Sequence, residues 1–402
     1  MNLIQTLWLG GDRVARAIGQ FLVVTALARG LGVVEFGIFS WAQALVATAG
    51  LLQWGAADTA LIRWLVREPD QAKARIHGIY AQQLLFIGLS AVPLIFYAFY
   101  RPEHQVPIVL LTIGLLGQST EVLRFWNEAK LTSDRYVRWD QAHYWVFVGA
   151  KVAVLYCAPL IHIAAVFALE GVTKALLMAR LHRDILKGRP RTIPQEVWDF
   201  LRSQVYVFAA YLLTMAALRV PQLWLEAHGG VYEVAYYSAA TRLIEPLAFI
   251  PWALMSPMFV RYTAQGYGPQ ANIVRRRMLF LGMSTGFVMA GLITHMSEPL
   301  VQVLYGSEFA VGAQVLRVLS WTLVPQFVLL ALVRIAVHEG RTKWLAAHGL
   351  TQLSMLLLML YLNQAAKTQE AVTVAYIVVA SAFVSVLLLF VAQMRRLSGT
   401  SD

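Results

Sequence analysis

Arg13, Arg16 and Gln20 stand at i, i+3 and i+7 in an otherwise apolar stretch, and Ser238, Thr241, Arg242 and Glu245 do the same in another. Each set falls on one face of a helix. Nine basic residues lie inside or at the edges of apolar segments: Arg13, Arg16, Arg124, Lys151, Lys174, Arg219, Arg242, Arg317 and Arg334. Asp12, Asp58, Glu121, Glu170 and Glu245 accompany them. A charge at the centre of a bilayer costs at least about 2.5–3.5 kcal/mol, so such groups need water, a partner or a ligand. Their chemistry is therefore ion pairing, ligand binding or proton titration.

Local pairing is the simplest of these. Glu121 and Arg124 are spaced i, i+3 and Glu170 and Lys174 i, i+4, so each pair can neutralise itself. Arg242 and Glu245 can do likewise, while Arg13 and Arg16 can instead reach an interface by snorkelling, as can Arg219, Arg317 and Arg334 at span ends. Lys151 has no acidic residue within four positions, so it needs a distant partner or a wet cavity. Asp58 sits where solvation is the default, and Glu245, beside Pro246, is the better candidate for a titratable switch.

The elements that carry these residues are membrane helices. Of the 402 residues, 58% are hydrophobic and only 14% charged, against roughly 45–50% and about 25% in ordinary soluble domains. That little charge cannot coat soluble helices, which excludes an aqueous enzyme of several domains. A window of about twenty residues finds twelve apolar segments: 8–28, 37–60, 78–99, 107–127, 142–158, 160–179, 204–225, 236–258, 278–297, 313–337, 345–362 and 371–393. The first is expected to be a retained helix, because its start lacks the order of a cleaved leader. Pro246, Pro251 and Pro257 should bend the eighth, with Pro93 and Pro325 candidates to bend the third and tenth.

Charge distribution orients these spans. Lys and Arg crowd alternate connections, around 63–75, 130–138, 180–202, 261–277, 341–343 and 395–396, whereas the intervening set holds only Arg29, Arg101 and Lys367. The crowded side is cytoplasmic by the positive-inside rule, as are both termini. The net charge of +11 is thereby explained by topology, and no nucleic-acid partner is needed. The lone cysteine, Cys157, excludes an intrachain disulfide.

At an offset of 198 the chain resembles itself. Gly32-Val33-x-Glu35 aligns with Gly230-Val231-x-Glu233, then Ser40 with Ser238, Ala42 with Ala240, Leu45 with Leu243, Trp54 with Trp252 and Arg63 with Arg261. This predicts two six-span halves, 1–194 and 195–402, entering the bilayer in the same sense around a central cavity, an architecture suited to alternating access. Enzyme motifs are absent: His338-Glu339 is not followed by a second histidine at zincin spacing, and there is no GxxxxGK[ST] loop or acidic metal motif. No cofactor is expected beyond a coupling ion.

Three stretches carry a family resemblance: Leu27-Ala28-Arg29-Gly30-Leu31-Gly32-x-x-Glu35-Phe36-Gly37, Tyr237-Ser238-Ala239-Ala240-Thr241-Arg242-Leu243 with Ile250-Pro251, and Glu298-Pro299…Leu304-Tyr305-Gly306-Ser307-Glu308-Phe309. With these the chain resembles the multidrug/oligosaccharidyl-lipid/polysaccharide (MOP) exporters, and among them the Wzx-like polysaccharide flippases. The resemblance implies an all-α polytopic fold of two six-helix lobes, with a cationic cavity that carries a polyprenyl-pyrophosphate-linked oligosaccharide across the bacterial inner membrane. It puts Arg242 at the family's basic position in the eighth span. Arg242, Arg13 and Arg16 are then the first candidates to bind the pyrophosphate, with Lys151 and Arg124 second, since guanidinium forks match phosphate oxygens. Glu245, Asp58 and Glu121 are candidates for coupling to an H+ or Na+ gradient; membrane potential acting on the substrate is the alternative. Membrane lipids and polysaccharide polymerase or assembly proteins are the implied partners. Two other readings stay open: a drug/cation antiporter of the same superfamily, expected to be richer in carboxylates, and a noncatalytic envelope-assembly protein.

Overall fold

A computed structural model describes residues 3–51, 72–130, 132–155, 160–187, 195–248, 269–364 and 370–398, with scattered positions between them. Asp58, Trp54, Trp252, Arg63 and Arg261 lie outside the described residues, and Arg13 is described in its helical backbone only. All regular structure among the described residues is helical.

The chain forms two compact units, Met1–Phe208 and Ala209–Asp402. The first holds α1 (Leu3–Gly50), α2 (Ala72–Tyr100), α3 (Gln105–Gly114), α4 (Glu121–Ala129), α5 (Ser133–Leu155), α6 (Leu160–Leu181), the short α7 (Arg183–Leu186) and α8 (Gln195–Ser203). α9 (Val205–His228) straddles the boundary, and the second unit continues with α10 (Val231–Ile244), α11 (Pro269–Tyr305), α12 (Ala310–Leu319), α13 (Leu323–His338), α14 (Thr342–Gln364) and α15 (Ala371–Ser398).

Nine described segments are long and apolar enough to cross a membrane, and they account for ten of the twelve predicted spans. The first, Val14–Gly50, contains two of them: at 1.5 Å per residue its 37 residues would extend about 55 Å, nearly twice a hydrocarbon core. Its helix breaks at Gly32, where φ is 68° and ψ 179°. The two remaining spans are less apolar or shorter. The span expected at 142–158 is a helix that begins nine residues earlier, at Ser133, and carries Asp134, Arg135, Arg138 and Asp140. That expected at 236–258 is α10, which ends at Ile244 and gives way to a 3-10 turn at Glu245–Ala248, as the missing N–H of Pro246 requires. Pro93 is accommodated within α2, and Pro325 lies in the first turn of α13, where no intrahelical donor is lost.

The repeat is visible in the backbone. Gly230, at the start of α10, has φ 88° and ψ 176°, the conformation of Gly32. The fourth predicted span is interrupted by a 3-10 turn at Leu115–Thr120, and its counterpart in the second unit by one at Ser320–Thr322. Both turns are preceded by a further 3-10 turn before the span, at Pro102–His104 and Ser307–Phe309. Hydroxyls satisfy the carbonyls that these turns free: Thr120 donates to Gly117 O at 2.7 Å and Thr322 to Leu319 O at 2.7 Å.

Small residues bring helices together. A Cβ on Gly171 of α6 would overlap the carbonyl of Gly114, and one on Gly286 of α11 would lie 2.8 Å from Val324 Cα. With lipid as solvent, such backbone approach supplies the packing energy that hydrophobic burial supplies in water.

Candidate functional site

In the first unit the faces of α1, α4, α5 and α6 bring together an ionic cluster. Asp12 and Arg16 are one turn apart on α1, and Asp140 and Tyr144 one turn apart on α5. Arg16 donates through Nε to Asp12 Oδ1 at 3.2 Å and through Nη2 to Asp140 Oδ2. Its guanidinium lies over the Tyr144 ring, 5.1 Å from the centroid, while the Tyr144 hydroxyl donates to Arg16 O at 3.0 Å. Gln141 donates to Asp12 Oδ1 at 2.5 Å.

Arg124 of α4 reaches Asp12 Oδ2 at 3.5 Å and Glu128 Oε1 at 3.1 Å, and Lys174 of α6 reaches Glu121 Oε1 at 3.0 Å and Asp140 Oδ1 at 3.6 Å. The carboxylates of Asp12 and Asp140 are only 2% and 3% exposed, whereas the Arg16 and Arg124 side chains are 28% and 19% exposed. Buried anions thus hold both guanidinium groups, and the arginine side chains are the more exposed partners of these pairs. Each guanidinium carries five N–H donors, more than these carboxylates engage.

Among the described residues of this cluster Arg16, Arg124 and Lys174 face four carboxylates, Asp12, Asp140, Glu121 and Glu128. Asp140 and Glu128 fall outside the spans as drawn from hydropathy, because charged residues at 134–140 depress the average there and 128 lies just past the fourth span. The alternation of Asp140, Tyr144 and Lys151 at i, i+4 and i+11, all on one helix face, is the signal that could have recovered Asp140.

The local pairings also give way to pairings between helices. Glu121 meets Lys174, not Arg124; Glu170 meets Lys151, at 2.6 Å, not Lys174. Lys151 therefore finds its acid on the neighbouring helix, and its ammonium also stands 3.9 Å from the Phe167 ring centroid. The reason is directional: these side chains project toward α5 or α6 more readily than along their own helix axis.

In the second unit Arg219 of α9 donates to Glu245 Oε1 at 3.1 Å, an ion pair made across helices. Arg242, half-buried in the last turn of α10, is within electrostatic reach of Glu245, Arg219 and Tyr305. Arg317 pairs with Glu298 at 2.8 Å on an exposed edge. Arg334 lies 5.5 Å from the Phe259 ring centroid. Glu233, the repeat's acidic residue, accepts the amide N–H of Ala371 at 2.6 Å and so caps α15. Among the described residues there is no cluster of His, Cys, Asp and Glu suited to a metal ion.

The sequence pattern of polysaccharide biosynthesis proteins matches residues 4–261, which include the whole ionic cluster as well as Arg219, Arg242 and Glu245. The chain belongs to the polysaccharide biosynthesis protein family. The family's residues here are thus those of a multi-pass membrane protein built from helices. No curated protein matches the chain. Its fold is shared with solved MOP-superfamily proteins. The lipid II flippase MurJ in an inward closed conformation superposes with TM-score 0.66 at 13% identity, over 98% of this chain and 88% of that one. A MOP superfamily transporter from Pyrococcus furiosus, described as having a binding pocket of reverse polarity, gives 0.63 at 14%, over 97% and 96%. An inward-facing multidrug resistance MATE family transporter gives 0.59 at 14%, over 100% and 97%.

Proposed function

We propose that this member of the polysaccharide biosynthesis family is a flippase. It moves a polyprenyl-pyrophosphate-linked oligosaccharide across the bacterial cytoplasmic membrane by alternating access, with both termini in the cytoplasm. The observation that carries the proposal is the cluster in which buried Asp12 and Asp140 hold Arg16 in place between two helices of a polysaccharide biosynthesis protein. The name of MurJ, a lipid II flippase of the same fold, supports it as analogy.

In this reading Arg16 and Arg124 use their remaining N–H groups on the pyrophosphate, in surroundings where charge-assisted bonds are strong. Arg13, Lys151 and Arg242 are the further substrate-binding candidates. Glu121 competes with the phosphate for Lys174, so its neutralisation by H+ or Na+ releases the ammonium to the substrate. That is a coupling role; Glu245, which holds Arg219, and Asp58 are the alternatives. The membrane potential favours the same direction, because an anion leaving a negative interior gains about 2.3 kcal/mol per charge per 100 mV. Membrane lipids surround the protein, and polymerase or assembly proteins receive its product.

Among the described residues, four carboxylates surround three cations, which favours a second reading, a drug/cation antiporter. Cells lacking the gene separate the two. A flippase predicts that lipid-linked oligosaccharide accumulates in the inner leaflet with unchanged ethidium tolerance. Normal surface polysaccharide with heightened ethidium sensitivity would replace the first reading by the second.

A further inference from the structure

Three polar contacts cross the seam between α5 and α6 in register. Asp140, His143 and Lys151 stand at i, i+3 and i+11 on one face of α5. They meet Lys174, Thr173 and Glu170 of α6 at 3.6, 2.8 and 2.6 Å. The outer two contacts are ion pairs already described. The middle one fixes the tautomer of an imidazole and leaves one of its nitrogens for a proton.

The Thr173 hydroxyl has one proton, which it donates back along its own helix, to Leu169 O at 2.7 Å with Glu170 O at 3.2 Å. Its oxygen is therefore the acceptor toward His143, and Nε2 carries the ring N–H. The lone pair of the neutral ring is then on Nδ1, which has no hydrogen-bond partner among the described residues and is not sealed from its surroundings. The ring also rests against Phe147, with centroids 4.7 Å apart, and His143 as a whole is half-buried. Neither contact engages the Nδ1 lone pair.

A proton arriving at Nδ1 leaves the Nε2–H bond to Thr173 intact, because both nitrogens of imidazolium are donors. The ring can therefore change charge without changing its place. Of the residue types in this seam, histidine alone ordinarily titrates between about pH 5 and 8. Glu170 and Lys174 of α6 and Asp140 and Lys151 of α5 are within electrostatic reach of it. Behind them stand Asp12 and Arg16 of α1 and Glu121, Arg124 and Glu128 of α4, through their pairs with Asp140, with Lys174 and with one another.

We propose that His143 is a proton-binding site, taking H+ at Nδ1, whose occupancy is linked to the Asp140–Lys174 and Glu170–Lys151 pairs on either side. Carboxylates favour an imidazolium and ammonium groups oppose it. An anion bound to the cations of the cluster offsets that opposition, so anion and proton strengthen each other's binding by the same factor. That consequence rests on the flippase reading, which puts a pyrophosphate at the cluster and so makes its loading tighter at lower pH. The proton site itself does not.

The test is NMR of the solubilised full-length protein with isotope-labelled histidine. The His143 signals are those lost in His143→Gln, a variant whose amide can still donate to Thr173. In the neutral state they should show the N–H on Nε2, and Nδ1 should take up a proton between about pH 5 and 8. Lys174→Met should raise the midpoint of that titration by about half a pH unit or more, and Glu170→Gln should lower it by a similar amount, since each removes one charge acting on the ring. Where Glu170→Gln strands Lys151 and lowers the folded yield, Lys174→Met decides alone, because Asp140 keeps its pair with Arg16. An Nδ1–H tautomer, no titration in that range, or a midpoint that the folded variants leave unmoved would each overturn the proposal. Inorganic pyrophosphate should raise the wild-type midpoint. If the variants move it and pyrophosphate does not, the proton site stands and the pyrophosphate reading of the cluster falls, so the two failures are told apart.

Discussion

Gly32 and Gly230, 198 positions apart, adopt one backbone conformation, φ 68° and ψ 179° at the first and φ 88° and ψ 176° at the second. That region is open essentially to glycine alone, and a side chain there costs about 1–3 kcal/mol. A Cβ on Gly230 would meet nothing within 4 Å, and neither would one on Gly88, which is helical. Gly230→Ala should therefore lower the thermal midpoint of the solubilised protein through backbone strain alone, while Gly88→Ala should not. Equal midpoints for the two variants would contradict the shared role of the two glycines.

Membrane orientation is checked with fused reporters. Those placed after Arg189 and after Arg275 should be cytoplasmic, and those near Gly230 and Ser307 external, because Lys and Arg crowd the former connections. A cytoplasmic signal at residue 230 would undo the orientation and the span count together.

Lys151 and Glu170 form a pair whose ammonium side chain is 5% exposed. Removing one partner of such a pair strands the other and costs about 3–5 kcal/mol, whereas neutralising both costs much less. Lys151→Met should be strongly destabilising in thermal unfolding, and Lys151→Met with Glu170→Gln should recover most of the loss. If the double variant folds but does not export glycan, Lys151 also serves the substrate; if it exports normally, the pair is structural.

Much of this architecture is legible in residue patterns, and what is not has physical causes. The helices, the break at Pro246 and the duplication follow from hydropathy, proline chemistry and rare residues at a fixed offset. The partners of the charges do not. Spacing of i, i+3 places Glu121 near Arg124, but which direction a long side chain takes depends on the neighbouring helix, and Lys174 of α6 offers Glu121 the shorter contact. Asp140 escapes for another reason: hydropathy averages over the charged start of α5 and draws the span too short. A carboxylate that positions Arg16 is thereby assigned to a loop.

Arg242 tests the second unit. Glu245 keeps its pair with Arg219 when Arg242 is replaced, so with Arg242→Ala that carboxylate stays paired, and protein abundance should stay near normal while export is lost. Arg242→Lys should restore only part of it, because an ammonium lacks the planar fork. Normal export by the double variant Arg242→Ala, Glu245→Gln would remove Arg242 from substrate binding.

The central claim is that the cluster around Arg16 carries a pyrophosphate headgroup across the membrane. Its most direct measurement is translocation of a fluorescent undecaprenyl-pyrophosphate-linked glycan in vesicles containing the purified protein, comparing wild type with Arg16→Ala and Asp140→Asn. Wild type should translocate it, Arg16→Ala should fall by about tenfold or more, the loss of a charge-assisted bond or two, and Asp140→Asn should fall less, since it frees Arg16 without removing it. Vesicles in which wild type moves no lipid-linked glycan, or in which both variants match it at equal folded protein, would contradict the account.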